Sequence, residues 1–161
     1  MPELKVGDVA PPFTLESTAG GAVTLADLKS AVVLYFYPKD DTPGCTKEAC
    51  AFREIDAEIK KAGAIVLGVS MDSTESHQRF AKKHALSFPL LSDPDGAVSR
   101  AYGVYKLKNM YGRTFWGIER TTFLIDPAGK IAQVYPRVKV DGHADAVLSA
   151  LKMLKSWGFR V

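Results

Sequence analysis

The chain reads as an α/β protein, with a central mixed β-sheet flanked by helices on both faces and entered through an N-terminal β-hairpin. Three observations predict this. Two near-continuous apolar runs, "AVVLYFY" (Ala31–Tyr37) and "AIVLGVS" (Ala64–Ser70), have the composition of strands covered on both faces. Each is followed by a segment with helical periodicity, the alternation that builds parallel strands. Two later runs, "RTTFLID" and "GKIAQVYP", flank Pro127-Ala128-Gly129 and predict a hairpin, which makes the sheet mixed.

The elements follow in order. "FTLESTAGGAVTL" is two short strands about a Gly-Gly turn. Pro38 ends the first buried strand. "TPGCTKEACAFREIDAEIKKAG" then predicts a helix, with Thr42 as N-cap, Pro43 at the first helical position and Gly63 at the end. "STESHQRFAKKHAL" predicts a second helix capped by Ser73 or Thr74. "FPLLSD" is a short strand, and "DPDGAVSRAYGV" a turn with a short helix. "KLKNMYGRTFWG" (Lys106–Gly117) carries no clear period and is expected to be an exposed loop or lead-in. "DGHADAVLSALKMLKSWG" closes the chain as an amphipathic helix, with His143 near its start.

Length and composition bound the function. A chain of 161 residues, 47% hydrophobic and 24% charged, is expected to form one domain spanning residues 1–161. A formal charge of +3 with scattered Lys and Arg gives no basic stripe, so no nucleic-acid partner is expected. No apolar run approaches the ~20 residues of a membrane span. "MPELKVGDVAPPF" lacks the basic and apolar regions of a signal peptide, so cytoplasmic localisation and no membrane partner are expected. In a reducing compartment two cysteines speak more for chemistry or metal than for a permanent staple.

Both cysteines lie in "FYPKDDTPGCTKEAC". With Cys45 at 0° on a helical wheel, Ala49, Phe52, Ile55, Ile59 and Ala62 fall between about +40° and −100°, one coherent face. Cys45 lies beside that face and should be covered. Cys50, at about +140°, should look outward. Five residues along a helix separate their Cα atoms by about 8.7 Å, whereas a disulfide needs no more than about 6.8 Å. The two cannot bond within an intact helix, so a redox couple requires the first turn to unwind. Helix ends fray readily, and Gly44 loosens this one. The macrodipole and free N–H groups of a first turn favour an anion, and so a thiolate, at Cys45. The residues alone leave a redox pair and two inert cysteines both open. His77, His84 and His143 lack zinc-ligand spacing, so no metal is expected, and the pair is not C-x-x-C. Lys39, Asp40 and Asp41 read as a solvated loop.

These residues resemble the active-site segment of the peroxiredoxins: Pro38, Thr42 and Cys45 stand at that family's Pro-x₃-Thr-x₂-Cys spacing. The second cysteine five residues on is similar to the peroxiredoxin Q, or bacterioferritin comigratory protein, subgroup. "GDVAPPFTL", "AGAIVLGVSMDSTESHQRFAKKH", "FPLLSDPDGAVSRAYGV" and "ERTTFLIDPAGKI" extend the resemblance over most of the chain. It implies a thioredoxin-like fold and a peroxidase without metal, haem or flavin, acting on hydrogen peroxide and organic hydroperoxides. It implies Cys45 as peroxidatic nucleophile and Cys50 as resolving cysteine, joined as an intramolecular disulfide after local unwinding. Thr42 would hold the peroxide, Pro38 shield the pocket and Arg120 serve as active-site arginine. Thioredoxin would be the reductant. With no third cysteine the chain should be self-sufficient and monomeric. A peroxide-sensing module or a general thiol–disulfide oxidoreductase is the alternative.

Overall fold

The computed structural model describes residues 3–156. An N-terminal hairpin, β1 (Thr14–Ser17) and β2 (Gly21–Thr24), leads through a 3-10 turn at Leu25–Asp27 to β3 (Ala31–Phe36). Then come α1 (Pro43–Lys61), β4 (Ala64–Ser70), α2 (Thr74–Lys83), β5 (Leu90–Ser92) and α3 (Ala97–Ala101). Two strands follow, β6 (Tyr105–Met110) and β7 (Arg113–Ile118), and then β8 (Thr121–Ile125), β9 (Ile131–Tyr135) and α4 (His143–Ser156). The predicted last two helical residues, Trp157 and Gly158, lie outside the described residues.

Seven strands form one sheet in the order β2-β1-β5-β4-β3-β8-β9. β3, β4 and β5 are parallel, and the other pairings are antiparallel. Every residue of β3 is buried, as a strand covered on both faces requires. The step from β3 to β4 to β5 runs one way across the sheet. Right-handed crossovers therefore place α1 and α2 on the same face. α4 joins them, and the side chains of α1 and α4 with Phe80 of α2 pack against Val33, Tyr35, Tyr37 and Leu124. The opposite face is covered more thinly, by α3, the 3-10 turn and the N-terminal segment. There Val98, Tyr102, Leu25 and Phe13 pack on Leu34, Phe36 and Phe123. Both faces carry helix, but unequally.

The segment Lys106–Gly117 corrects the sequence reading. It is exposed, as expected, but it is a hairpin: β6 and β7 pair antiparallel from Tyr105↔Ile118 to Met110↔Arg113 as a separate two-stranded sheet. Tyr111 (φ 53) and Gly112 (φ 78) make the turn, both left-handed, as a two-residue hairpin loop wants. Tyrosine is not a residue from which such a turn is read, which hid the hairpin. Among the described residues no helix is long and apolar enough to cross a membrane.

Candidate functional site

The carboxyl end of β3 delivers the chain to the site. After Phe36 the backbone turns through Tyr37–Thr42 and enters α1 at Pro43, so Cys45 is the third helical residue. Ala49, Phe52 and Ile59 of α1 pack on the sheet, and they carry Cys45 down with them until it is 2% exposed. β8 pairs with β3 antiparallel, with Thr121 opposite Phe36. The residue just before β8 is therefore held beside the exit of β3. That residue is Arg120, whose Nη2 donates to Cys45 Sγ at 3.3 Å and whose Nη1 donates to Glu48 Oε1 at 2.6 Å. Gly44 permits the approach, since a Cβ there would stand 3.1 Å from Arg120 Nη2.

One guanidinium thus serves two acidic groups on adjacent turns of one helix. Burial works against its charge, but Glu48 and Cys45 outweigh burial and hold Arg120 above its ordinary pKa. Glu48 is the residue the sequence reading missed. Burial pushes its carboxyl up to about 7 against the pull of Arg120. Among the described residues its second oxygen, Oε2, is buried with no hydrogen-bond partner, as is Tyr35 Oη. Tyr35 is held well above its usual range by burial, then by Glu48 and Cys45. A signal was available: on the helical wheel Glu48 falls at about −60°, in the middle of the apolar face. A carboxyl there has to find a cation or give up its charge.

The remaining predicted residues are placed less directly. Thr42 occupies the N-cap position with extended backbone, but its side chain makes no cap bond. Its hydroxyl donates to Lys39 O at 2.9 Å instead. Pro38 is exposed on the loop, and Cys50 is half-buried further along α1. Both cysteines are free thiols within one intact helix.

The loop corrects a second reading. Lys39 and Asp41 are exposed, with Asp41 facing Lys83 and His84, which hold its carboxyl below the usual range. Asp40, expected to be solvated, is only 7% exposed. It accepts from Tyr37 Oη (2.5 Å) and Ser76 Oγ (2.8 Å), and meets His77 Nδ1 at 2.7 Å. Its backbone N–H donates to Asp72 Oδ2. Asp40, Asp72 and His77 have the atoms to form a metal cluster, but those atoms are engaged in hydrogen bonds. His77 Nε2 faces the carbonyl of Leu91, so both ring nitrogens meet acceptors. The network locks the loop before Cys45 to α2 and to the strand ends. Local pattern shows no sign of it, because Asp40 meets Asp72, Ser76 and His77, which stand 32 to 37 positions away. His143 heads α4 with Nε2 on Thr122 Oγ1 at 2.8 Å, and burial takes it down to about 4.

Residues 6–134 match the profile described as the AhpC/TSA family. The chain is 54% identical over 149 residues to "Putative peroxiredoxin bcp" of Coxiella burnetii, covering 92% of this chain and 99% of that one. It is 48% identical over 153 residues to "Peroxiredoxin Bcp" of Escherichia coli K12, covering 94% and 98%. A solved structure of Xanthomonas campestris Peroxiredoxin Q superposes with a TM-score of 0.85 at 49% identity, over 93% of this chain and 96% of that one. Another, of the bacterioferritin comigratory protein of that organism, matches at 0.85 and 48% over the same shares. Its description concerns alkyl peroxide reduction activity and a trapped intermediate/ligand complex. The fold is thioredoxin-like, as these neighbours are.

Proposed function

Because the chain belongs to the AhpC/TSA family, within its Bcp/peroxiredoxin Q group, we propose that it is a thiol peroxidase whose nucleophile is Cys45. One observation carries the assignment of the nucleophile: the buried thiol of Cys45 accepts a hydrogen bond from the guanidinium of Arg120 at 3.3 Å. The attacking form is the thiolate, and the guanidinium is fixed where its charge would lie. The relatives support the reaction class, and alkyl peroxides join hydrogen peroxide as substrates.

The thiolate attacks the terminal oxygen of ROOH. An S–O bond forms, the O–O bond breaks, and RO⁻ leaves and takes a proton to become ROH. Cys45 is left as sulfenic acid. Negative charge shifts from sulfur to the departing oxygen, and Arg120 is fixed beside that path. It stabilises the charge without reorganising, an effect worth ~3 kcal/mol for a well-placed donor. Thr42 Oγ1 has its proton committed to Lys39 O, so its lone pairs remain to accept the O–H of the incoming peroxide. Pro38 shields the approach from water. Glu48 positions Arg120 by taking its other nitrogen.

Resolution needs a second conformation. Cys50 sits in the same helix as Cys45, and in that state the two cannot meet. The first turn of α1 unwinds, Cys50 thiol condenses with the sulfenic acid, and water leaves as the disulfide forms. Thioredoxin, a dithiol donor, then reduces the disulfide and is itself oxidised. The whole chain 1–161 works as one domain, monomeric and cytoplasmic.

Intact mass spectrometry after one equivalent of peroxide tests the scheme. The expected product has lost two mass units and maps to a Cys45–Cys50 bond. Cys50→Ser should instead gain sixteen and fail to cycle with thioredoxin, while Cys45→Ser should be inert. Turnover by Cys45→Ser at the parental rate would overturn the assignment.

A further inference from the structure

The hairpin of β6 and β7 stands apart from the seven-stranded sheet, and it gathers most of the exposed apolar surface. Among the described residues eight large hydrophobic side chains are exposed, and five of them, Leu107, Met110, Tyr111, Phe115 and Trp116, lie on these two strands and their turn. Tyr111, at the tip, is 97% exposed. Isolated two-stranded hairpins are marginal in water, and an apolar patch of this kind marks a surface that something covers.

The register shows what kind of partner fits. Leu107 is opposite Trp116, and Lys108 opposite Phe115. Side chains alternate across a strand, so Leu107 and Trp116 lie on one face while Phe115 and Met110 lie on the other. Apolar groups therefore project from both faces and from the tip. A protein partner laid on one face would leave the other wet. A lipid headgroup layer surrounds an inserted tip on all sides and suits aromatic rings at the level where water gives way to hydrocarbon.

Charge points the same way. Between Tyr105 and Ile118 there is no Asp or Glu, and there are three cations. Lys106 is spent on Glu119 (2.7 Å) and Glu3 (3.3 Å). Lys108 donates to the Ile118 carbonyl, and among the described residues neither it nor Arg113 at the tip makes a salt bridge. Two copies of this chain pairing through their hairpins would set these cations against each other, so a second copy is the poorer occupant.

We propose that the β6–β7 hairpin docks the protein on bilayers containing anionic lipid, with Tyr111, Phe115 and Trp116 entering the headgroup region and Arg113 held at the phosphates. The expectation of no membrane partner came from the lack of a span, and a peripheral contact needs none. β7 continues through Ile118 and Glu119 to Arg120, so a docked hairpin also brings the Cys45 site to the membrane surface.

Flotation with phosphatidylcholine vesicles, with and without 30% phosphatidylglycerol, tests this at low and physiological salt. The protein should float with the anionic vesicles and not with phosphatidylcholine alone. Trp116 emission, read in a Trp157→Phe background, should shift to shorter wavelength. Tyr111→Asp/Arg113→Glu changes only the exposed tip and should cut binding by tenfold or more. Phe115→Ser/Trp116→Ser keeps every cation and should do the same. Oxidation of Cys45 by hydrogen peroxide in free solution should be unchanged in the tip variant, which separates this proposal from the peroxidase assignment. Failure to float at low salt overturns the proposal. So does flotation unaltered by both variants, which would assign binding to diffuse positive charge. A dimer in solution that the same substitutions dissociate would give the surface to a second copy.

Discussion

Replacing Glu48 with Gln should remove a pH dependence from folding stability. Glu48 is 1% exposed and its carboxyl is carried from 4.5 to about 7, by burial that the Arg120 contact only partly offsets. The sign follows from proton uptake. Between pH 4.5 and 7 the folded protein holds a proton on Glu48 that the unfolded chain has released, so stability falls as pH rises through that window. Each pH unit is worth ~1.4 kcal/mol, so the contribution lost by pH 8 is about 3 kcal/mol. Gln is the neutral isostere and cannot ionise. The comparison belongs in a Cys45→Ser background, so that the thiol does not titrate, using urea denaturation at pH 5 and pH 8. Cys45→Ser should lose about 2.5 kcal/mol more between those values than Cys45→Ser/Glu48→Gln, since the first half unit of the window lies below pH 5. Equal losses in the two proteins would show that Glu48 stays ionised against Arg120 throughout, and the account in which burial outweighs the guanidinium would fail.

Three further outcomes are expected. Arg120→Met should slow oxidation of Cys45 by roughly 10²–10³-fold in stopped flow, and Arg120→Lys should recover only part, because one ammonium cannot reach Cys45 and Glu48 as the fork does. Gly44→Ala puts a Cβ 3.1 Å from Arg120 Nη2; the oxidation rate should fall while the thermal midpoint holds, since Ala is the better helix former. His143, taken from 6.5 to about 4 mainly by burial, should contribute stability that is complete above about 6.5 and lost as pH falls toward 4. His143→Gln should flatten that acid limb, a change that urea denaturation between pH 4 and 7 would register.

Much of this architecture is carried by local pattern. The buried runs at Ala31–Phe36 and Ala64–Ser70, the Thr42-Pro43 helix start and the Gly63 stop are short-range signals, and each became the element it predicts. The depth of Cys45 follows from its place beside the apolar face of α1. Two things resisted. The β6–β7 hairpin turns on a tyrosine with positive φ, which is outside the usual turn chemistry. Asp40 looks like a loop acid because its surroundings in sequence are polar. Its burial is decided by Ser76 and His77, residues more than thirty positions away.

The sequence by itself determined the two thiols, their spacing and the helix that keeps them apart, because a helical wheel and a bond length need only local geometry. Only the tertiary structure decided what surrounds Cys45. Arg120 is 75 residues away, and it arrives because β8 pairs with β3 in a register that sets Thr121 opposite Phe36. Glu48 lies in the apolar face, and only that fold supplies the cation that makes its burial tolerable. Register and shared partners are long-range facts. They are fixed when the sheet closes, which is why the spacing of the two thiols could be read from local pattern and the electrostatic setting of Cys45 could not.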